Sequence, residues 1–201
     1  MHNDLSNHAE EYRLTRGFKW LMQEPQFSKY KLHEVQWVIF AHDSTWINTQ
    51  RLLPFLARVN PAVPLSFGYY WDEVFSFTAH MSGGGGMVFS ASAAKQVGSN
   101  LFTPACPDEL FSGGTWADVM LSHCASQSKV LGVSSSLFHV HGGEQYTYDH
   151  NNFDPGSVKE AFSFASVESK EMAQLDEIVR ENLRGKVPKI NHGGLPGSHA
   201  S

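Results

Sequence analysis

Cysteine is scarce in this chain: Cys106 and Cys124 are the only two among 201 residues. That excludes a disulfide framework and any four-cysteine metal site. The two can pair in an oxidising compartment or stand as reduced, partly buried thiols. Positive charge is also short, with 15 Lys and Arg against 20 Asp and Glu, for a formal net charge of −5. Without a basic field or a run of like charges, nucleic acid is not an expected partner. No apolar run approaches the roughly 18 residues that cross a bilayer, and the opening MHNDLSNHAEEYR is polar and acidic. No transmembrane segment, targeting signal or internal repeat is read.

What is present is a globular composition, 41% hydrophobic, enough for one domain with its own core. Tyr12, Leu14, Phe18 and Leu21 predict an amphipathic helix over 9–23, ending before Pro25. WVIF at 37–40 reads as a short strand with both faces buried, stopping at Ala41-His42-Asp43-Ser44. A helix follows, predicted to start near Arg51 so that Pro54 falls in its first turn, with Pro61 and Pro64 beyond it. Residues 65–70 read as a second strand, and the four glycines Gly83–Gly86 demand a sharp turn or a close backbone approach. ASAAKQV and TWADVMLSHCASQ suit helices, 130–133 a strand, and LFHVHGGEQ a strand or loop. Residues 166–184 form the clearest helix, with Met172, Leu175, Ile178, Val179 and Leu183 on one side and Gly185 as terminator. The tail 186–201 is expected to be disordered. Strands alternating with helices favour an α/β sheet with ligands at the strand ends.

Several stretches recur in a familiar order: WVIFAHDSTWIN, the leucine-rich helix, the P-x-x-F-G of Pro64–Gly68, the GGGG turn, Ala117-Asp118-Val119, and LGV followed by LFHVH. Together they resemble the Fringe-like β1,3-glycosyltransferases, over roughly Tyr12 to Val167. The resemblance implies a nucleotide-diphospho-sugar transferase type A fold, a Rossmann-like mixed sheet, in a domain over 9–185. Only 36 residues precede Trp37, so the resemblance implies a domain incomplete at its N-terminus, lacking the base and ribose pocket. It also implies inverting transfer of a sugar from a UDP-sugar to a glycan or glycoprotein acceptor, in the Golgi or secretory lumen.

The site residues follow from that resemblance. His42, Asp43 and Ser44 occupy the family's three aspartate positions, whose carboxylates hold Mn²⁺ under the donor diphosphate. Ser44 stands where the direct ligand is expected, and a hydroxyl is a poorer ligand than a carboxylate. His42 either meets the diphosphate as a protonated donor, ligates a softer metal, or is a surface histidine in a degenerate site. His139 and His141, in a Phe-His-x-His like the family's, share a strand face and would complete the metal shell. Asp118 matches the second acid of the family's acidic pair, with Ala117 at the first, and would be the catalytic base. Thr115-x-x-Asp118 also has the spacing of a capping box, and Asp108-Glu109 is a rival alignment. Gly83, Gly84, Gly85 and Gly86 match a glycine turn that lets sugars approach the backbone. Tyr69, Tyr70 and Trp71 either stack on sugar rings or pack in the core, and Trp71 is taken as substrate-binding. The expected function is therefore a Fringe-like transferase weakened by its metal motif. The alternative is a catalytically inactive relative that binds a glycan or a partner transferase.

Overall fold

The computed structural model describes residues 14–23, 26–29, 31, 34–71, 79–107, 116–140 and 155–184. His141, Thr115, the Asp108-Glu109 pair, Gly185 and the tail 186–201 lie outside the described residues. The helices are α1 over 14–22, α2 Gln26–Lys29, α3 Thr49–Leu56, α4 Ala91–Asn100, α5 Ala117–Gln127, α6 Pro155–Glu160 and α7 Ser169–Leu183. The strands are β1 Trp37–Phe40, β2 Trp46–Ile47, β3 Leu65–Gly68, β4 Tyr70–Trp71, β5 His80–Met81, β6 Met87–Ser90, β7 Leu131–Ser134, β8 Phe138–His139 and β9 Ser163–Phe164.

The main sheet has the order β1-β6-β3-β7. Its first two pairings are antiparallel, whereas β3 and β7 run parallel. A smaller sheet, β2-β9-β8, is likewise mixed, and β4 and β5 form an antiparallel pair. The molecule is thus mixed α/β with mixed sheets. Side chains alternate across the main sheet with the two-residue period of a strand. Val38 and Phe40 of β1, with Met87 and Phe89 of β6, pack against Phe18 and Met22 of α1 and the apolar faces of α4 and α5. Trp37 and Val88 face the other way, toward Leu52 and Leu56 of α3. The apolar run of WVIF predicts a strand buried on both faces, but β1 lies at one edge of the sheet, its residues are only partly buried and Ile39 is exposed.

Two helices depart from expectation. Helix α3 begins at Thr49, two residues earlier than predicted, and Pro54 sits in its interior rather than its first turn. The reason is tertiary. Asn48 is buried, receives Arg51 N–H on its side chain at 3.2 Å, donates Nδ2–H to Val158 O and its own N–H to Phe162 O, and so fixes the helix start. In α7, Leu175 and Ile178 are buried as expected but Leu183 is 67% exposed. That helix starts at Ser169, not 166, because β9 and a left-handed Ser166 (φ 55°) precede it, and the Glu171 carboxylate accepts Glu168 N–H at 2.8 Å at its first turn. The cysteines, which composition left open, are joined: Cys106 and Cys124 form a fully buried disulfide with Cα atoms 5.4 Å apart, tying the loop after α4 to α5.

Candidate active site

The strand β1 ends at Phe40, and the chain turns through Ala41–Ser44 into β2. Across from it, β5 runs through Ser82 into the glycine turn that opens β6. The N-terminus of α5 closes the third side. Between them lies a cavity of about 590 Å³, lined by His42 and Ser44 from the strand tip, Gly83 and Gly84 from the turn, and Trp116, Ala117 and Asp118 from the helix. Leu14, Phe40, Ala41, Met87 and Ser166 complete it. The strand tip and the lone acid, 74 residues apart from Ser44 to Asp118 in sequence, therefore face one cavity.

Asp118 stands second in α5, where a carboxylate is favoured by the exposed amides of a helix start. The cap position belongs to Trp116, which makes no side-chain cap bond. Asp118 Oδ1 accepts Val119 N–H at 2.8 Å, an amide of the helix's own first turn, while Oδ2 accepts Gly83 N–H at 2.8 Å from the glycine turn. A carboxylate has about four acceptor positions, so each oxygen keeps one for another hydroxyl. A methyl group at Gly83 would lie 3.2 Å from Asp118 Oδ2 and 3.3 Å from His42 Nε2. Taken end to end, those distances put the carboxylate oxygen and the imidazole nitrogen at most 6.5 Å apart.

Small hydroxyl side chains hold this arrangement. Thr45 Oγ1 accepts His42 N–H at 3.1 Å and donates to Gly84 O at 2.9 Å, joining the strand tip to the glycine turn. Ser163 donates to Gly85 O. Ser122 Oγ accepts Met81 N–H at 2.8 Å and donates to Asp118 O at 2.7 Å, locking β5 to α5 beside the acid. Gly86 N–H closes the turn on Gly83 O at 2.9 Å, and Gly86 has φ +88°, a left-handed conformation that favours glycine. Thr45, Ser122, Ser163, Ser166 and Trp116 were not singled out from sequence. Hydroxyl residues are too common to signal, and Thr45, Ser122 and Ser163 act through tertiary hydrogen bonds.

The chain is similar to a β1,3-glucosyltransferase. That protein, from Mus musculus, is 27% identical over 127 residues, which span 62% of this chain and 25% of the relative. The chain thus spans about a quarter of the length of the curated relative it matches. No family model matches the chain.

The remaining predicted residues are placed apart from the cavity lining. Trp71, in β4, packs edge-on against Tyr69 with ring centroids 5.1 Å apart. Asp43 is exposed and lines, with Ser44 and Ser166, an adjoining open cleft that runs to Glu168 and Lys170 at the start of α7. His139 is half-buried on β8 and its ring stacks on Phe164 at 4.6 Å; burial pushes its pKa down, disfavouring the imidazolium. Gly85 lies under Val140 and Phe138, so the end of β8 packs on the glycine turn. Among the described residues no group of three His, Cys, Asp or Glu side chains converges to hold a metal ion. Asp43 with Ser44 offers one carboxylate and one hydroxyl, a donor set that does not by itself fit a hard divalent cation. No helix among the described residues is long and apolar enough to cross a membrane.

Proposed function

We propose that the chain carries the acceptor-activating part of an inverting Fringe-like glycosyltransferase on a type A nucleotide-diphospho-sugar fold. The observation that carries this reading is the single cavity shared by Asp118, the glycine turn and the His42–Ser44 tip. Asp118 takes the proton of the acceptor hydroxyl as that oxygen attacks the anomeric carbon of a UDP-sugar. A carbon–oxygen bond forms on one face, the bond to the diphosphate breaks on the other, and its electron pair leaves with UDP. The anomeric configuration is thereby inverted. Gly83 and Gly84 present no side chains to the reacting sugars, and Gly83 N–H holds the carboxylate in place. His42, exposed at the cavity wall, can donate to the leaving diphosphate. Because the similar mouse protein is a β1,3-glucosyltransferase, UDP-glucose is the first donor to test. The buried disulfide fits an oxidising lumen such as that of the secretory pathway.

A specific observation favours a second reading, a glycan- or transferase-binding protein without turnover: His42, Ser44 and Ala117 replace three of the expected acids, leaving Asp118 the one carboxylate among the described residues of the cavity wall. The two are separated by incubating the chain with UDP-glucose and other UDP-sugars in the presence of mixed glycans, with and without Mn²⁺, and following UDP release and product mass. Transfer that disappears in Asp118→Asn supports the transferase. Absence of transfer from every donor, with glycan binding retained, supports the second reading.

A further inference from the structure

Trp116 breaks two local rules at once. It occupies the cap position of α5, where Ser, Thr, Asp or Asn would satisfy a free amide, and its side chain makes no such bond. It is also 61% exposed, although a tryptophan contributes most to a fold by being buried. Residues that violate local preference without a return in packing mark functional positions. Trp116 lies two residues from Asp118 and lines the same cavity, with Leu14 of α1, itself 44% exposed, also on its wall. The cavity thus joins apolar side chains to polar groups at Gly83, Ser44 and Asp118. A pyranose has the matching character, with C–H bonds on its faces and hydroxyls around its edge. An aromatic face carries negative charge density and attracts such C–H groups.

We propose that Trp116 is the platform on which the acceptor sugar ring stacks, holding one of its hydroxyls toward Asp118. The inference rests on the transferase reading for the direction of transfer, but the stacking itself is a binding claim. Trp116 is a positioning residue: it orients the ring whose hydroxyl Asp118 deprotonates. It does not contact the donor.

The test is saturation-transfer NMR on the full chain with methyl glycosides of the common hexoses and pentoses, and separately with UDP. At least one glycoside should bind, receiving saturation mainly at its ring C–H protons. Trp116→Ala should weaken that glycoside about tenfold, Trp116→Phe should retain most of the affinity, and both variants should bind UDP as the wild type does. Unchanged glycoside affinity in Trp116→Ala overturns the proposal, as does the absence of glycoside binding to the wild type. Equal losses of glycoside and UDP affinity also overturn it, since Trp116 would then serve the donor or the fold. Should no UDP-sugar turn over while glycosides bind in a Trp116-dependent way, the transferase reading fails and the platform stands.

Discussion

Gly83 governs how closely Asp118 and His42 approach one another. A Cβ at this position would sit 3.1 Å from Asp118 Cβ and 3.3 Å from His42 Nε2, closer than ordinary contact. Gly83→Ala should therefore displace both side chains while leaving the surrounding sheet intact. A fall in transfer rate of about tenfold or more is expected, because misplacement of a reacting group by about 1 Å can cost as much as 10²-fold. Thermal unfolding should show little change, and a matching drop in Tm would instead mark Gly83 as structural. Ser44 supports a second prediction at this scale. Ser44→Asp places a second carboxylate beside Asp43 and should raise Mn²⁺ affinity, read by isothermal titration. No gain would mean that the strand tip is not in register with the aspartates it resembles. That Asp118 and His42 would meet at one cavity could be anticipated because the stretches that carry them recur in a known order, even though His42 stands where an aspartate is expected. Thr45 and Ser122 were not, since their effect is to orient a neighbour's backbone through partners 39 and 41 residues away.

At the scale of elements, β1, β3, α4 and α5 are where pattern predicts them, because each carries a run of apolar residues with clear punctuation. Helix α3 is the instructive departure. Proline chemistry argued for a start at Arg51, yet Asn48 moves it to Thr49 through bonds to residues 110 and 114 positions away, contacts that local reading does not see. β2 and β9 are only two residues each and gain their identity by pairing with one another, which no periodicity reveals. Helix packing supplies a prediction here. Gly98 of α4 lies against Met22 of α1, where an added Cβ would come within 2.6 Å of Met22 Cβ and 2.7 Å of its Cγ. Gly98→Ala should push α1 off α4 and cost about 1–3 kcal/mol by overpacking. Urea denaturation measures it, and a neutral or stabilising result would show that α1 is free to shift. Because Leu14 of α1 lines the cavity, the same variant should also change ligand binding.

For the molecule as a whole, two layers of helices on a mixed sheet bring the strand tip, the glycine turn and the start of α5 to one place. Sequence order alone could anticipate that meeting only through resemblance. The disulfide belongs to this scale, because it fastens the element that carries Asp118 to the loop after α4. Closing a loop of about this length is worth roughly 3 kcal/mol in the chain-entropy account. The Cys106→Ser, Cys124→Ser double variant should therefore lose about that much stability by chemical denaturation, and an unchanged midpoint would show the bond to be dispensable. The central claim is that Asp118 acts as the base on a hydroxyl held in the cavity. It is tested most directly by comparing the wild type with Asp118→Asn for kcat of sugar transfer and for UDP affinity. The account predicts a fall in kcat of about 10²–10⁴-fold with UDP affinity and near-ultraviolet circular dichroism unchanged. Transfer by Asp118→Asn at the wild-type rate would contradict it.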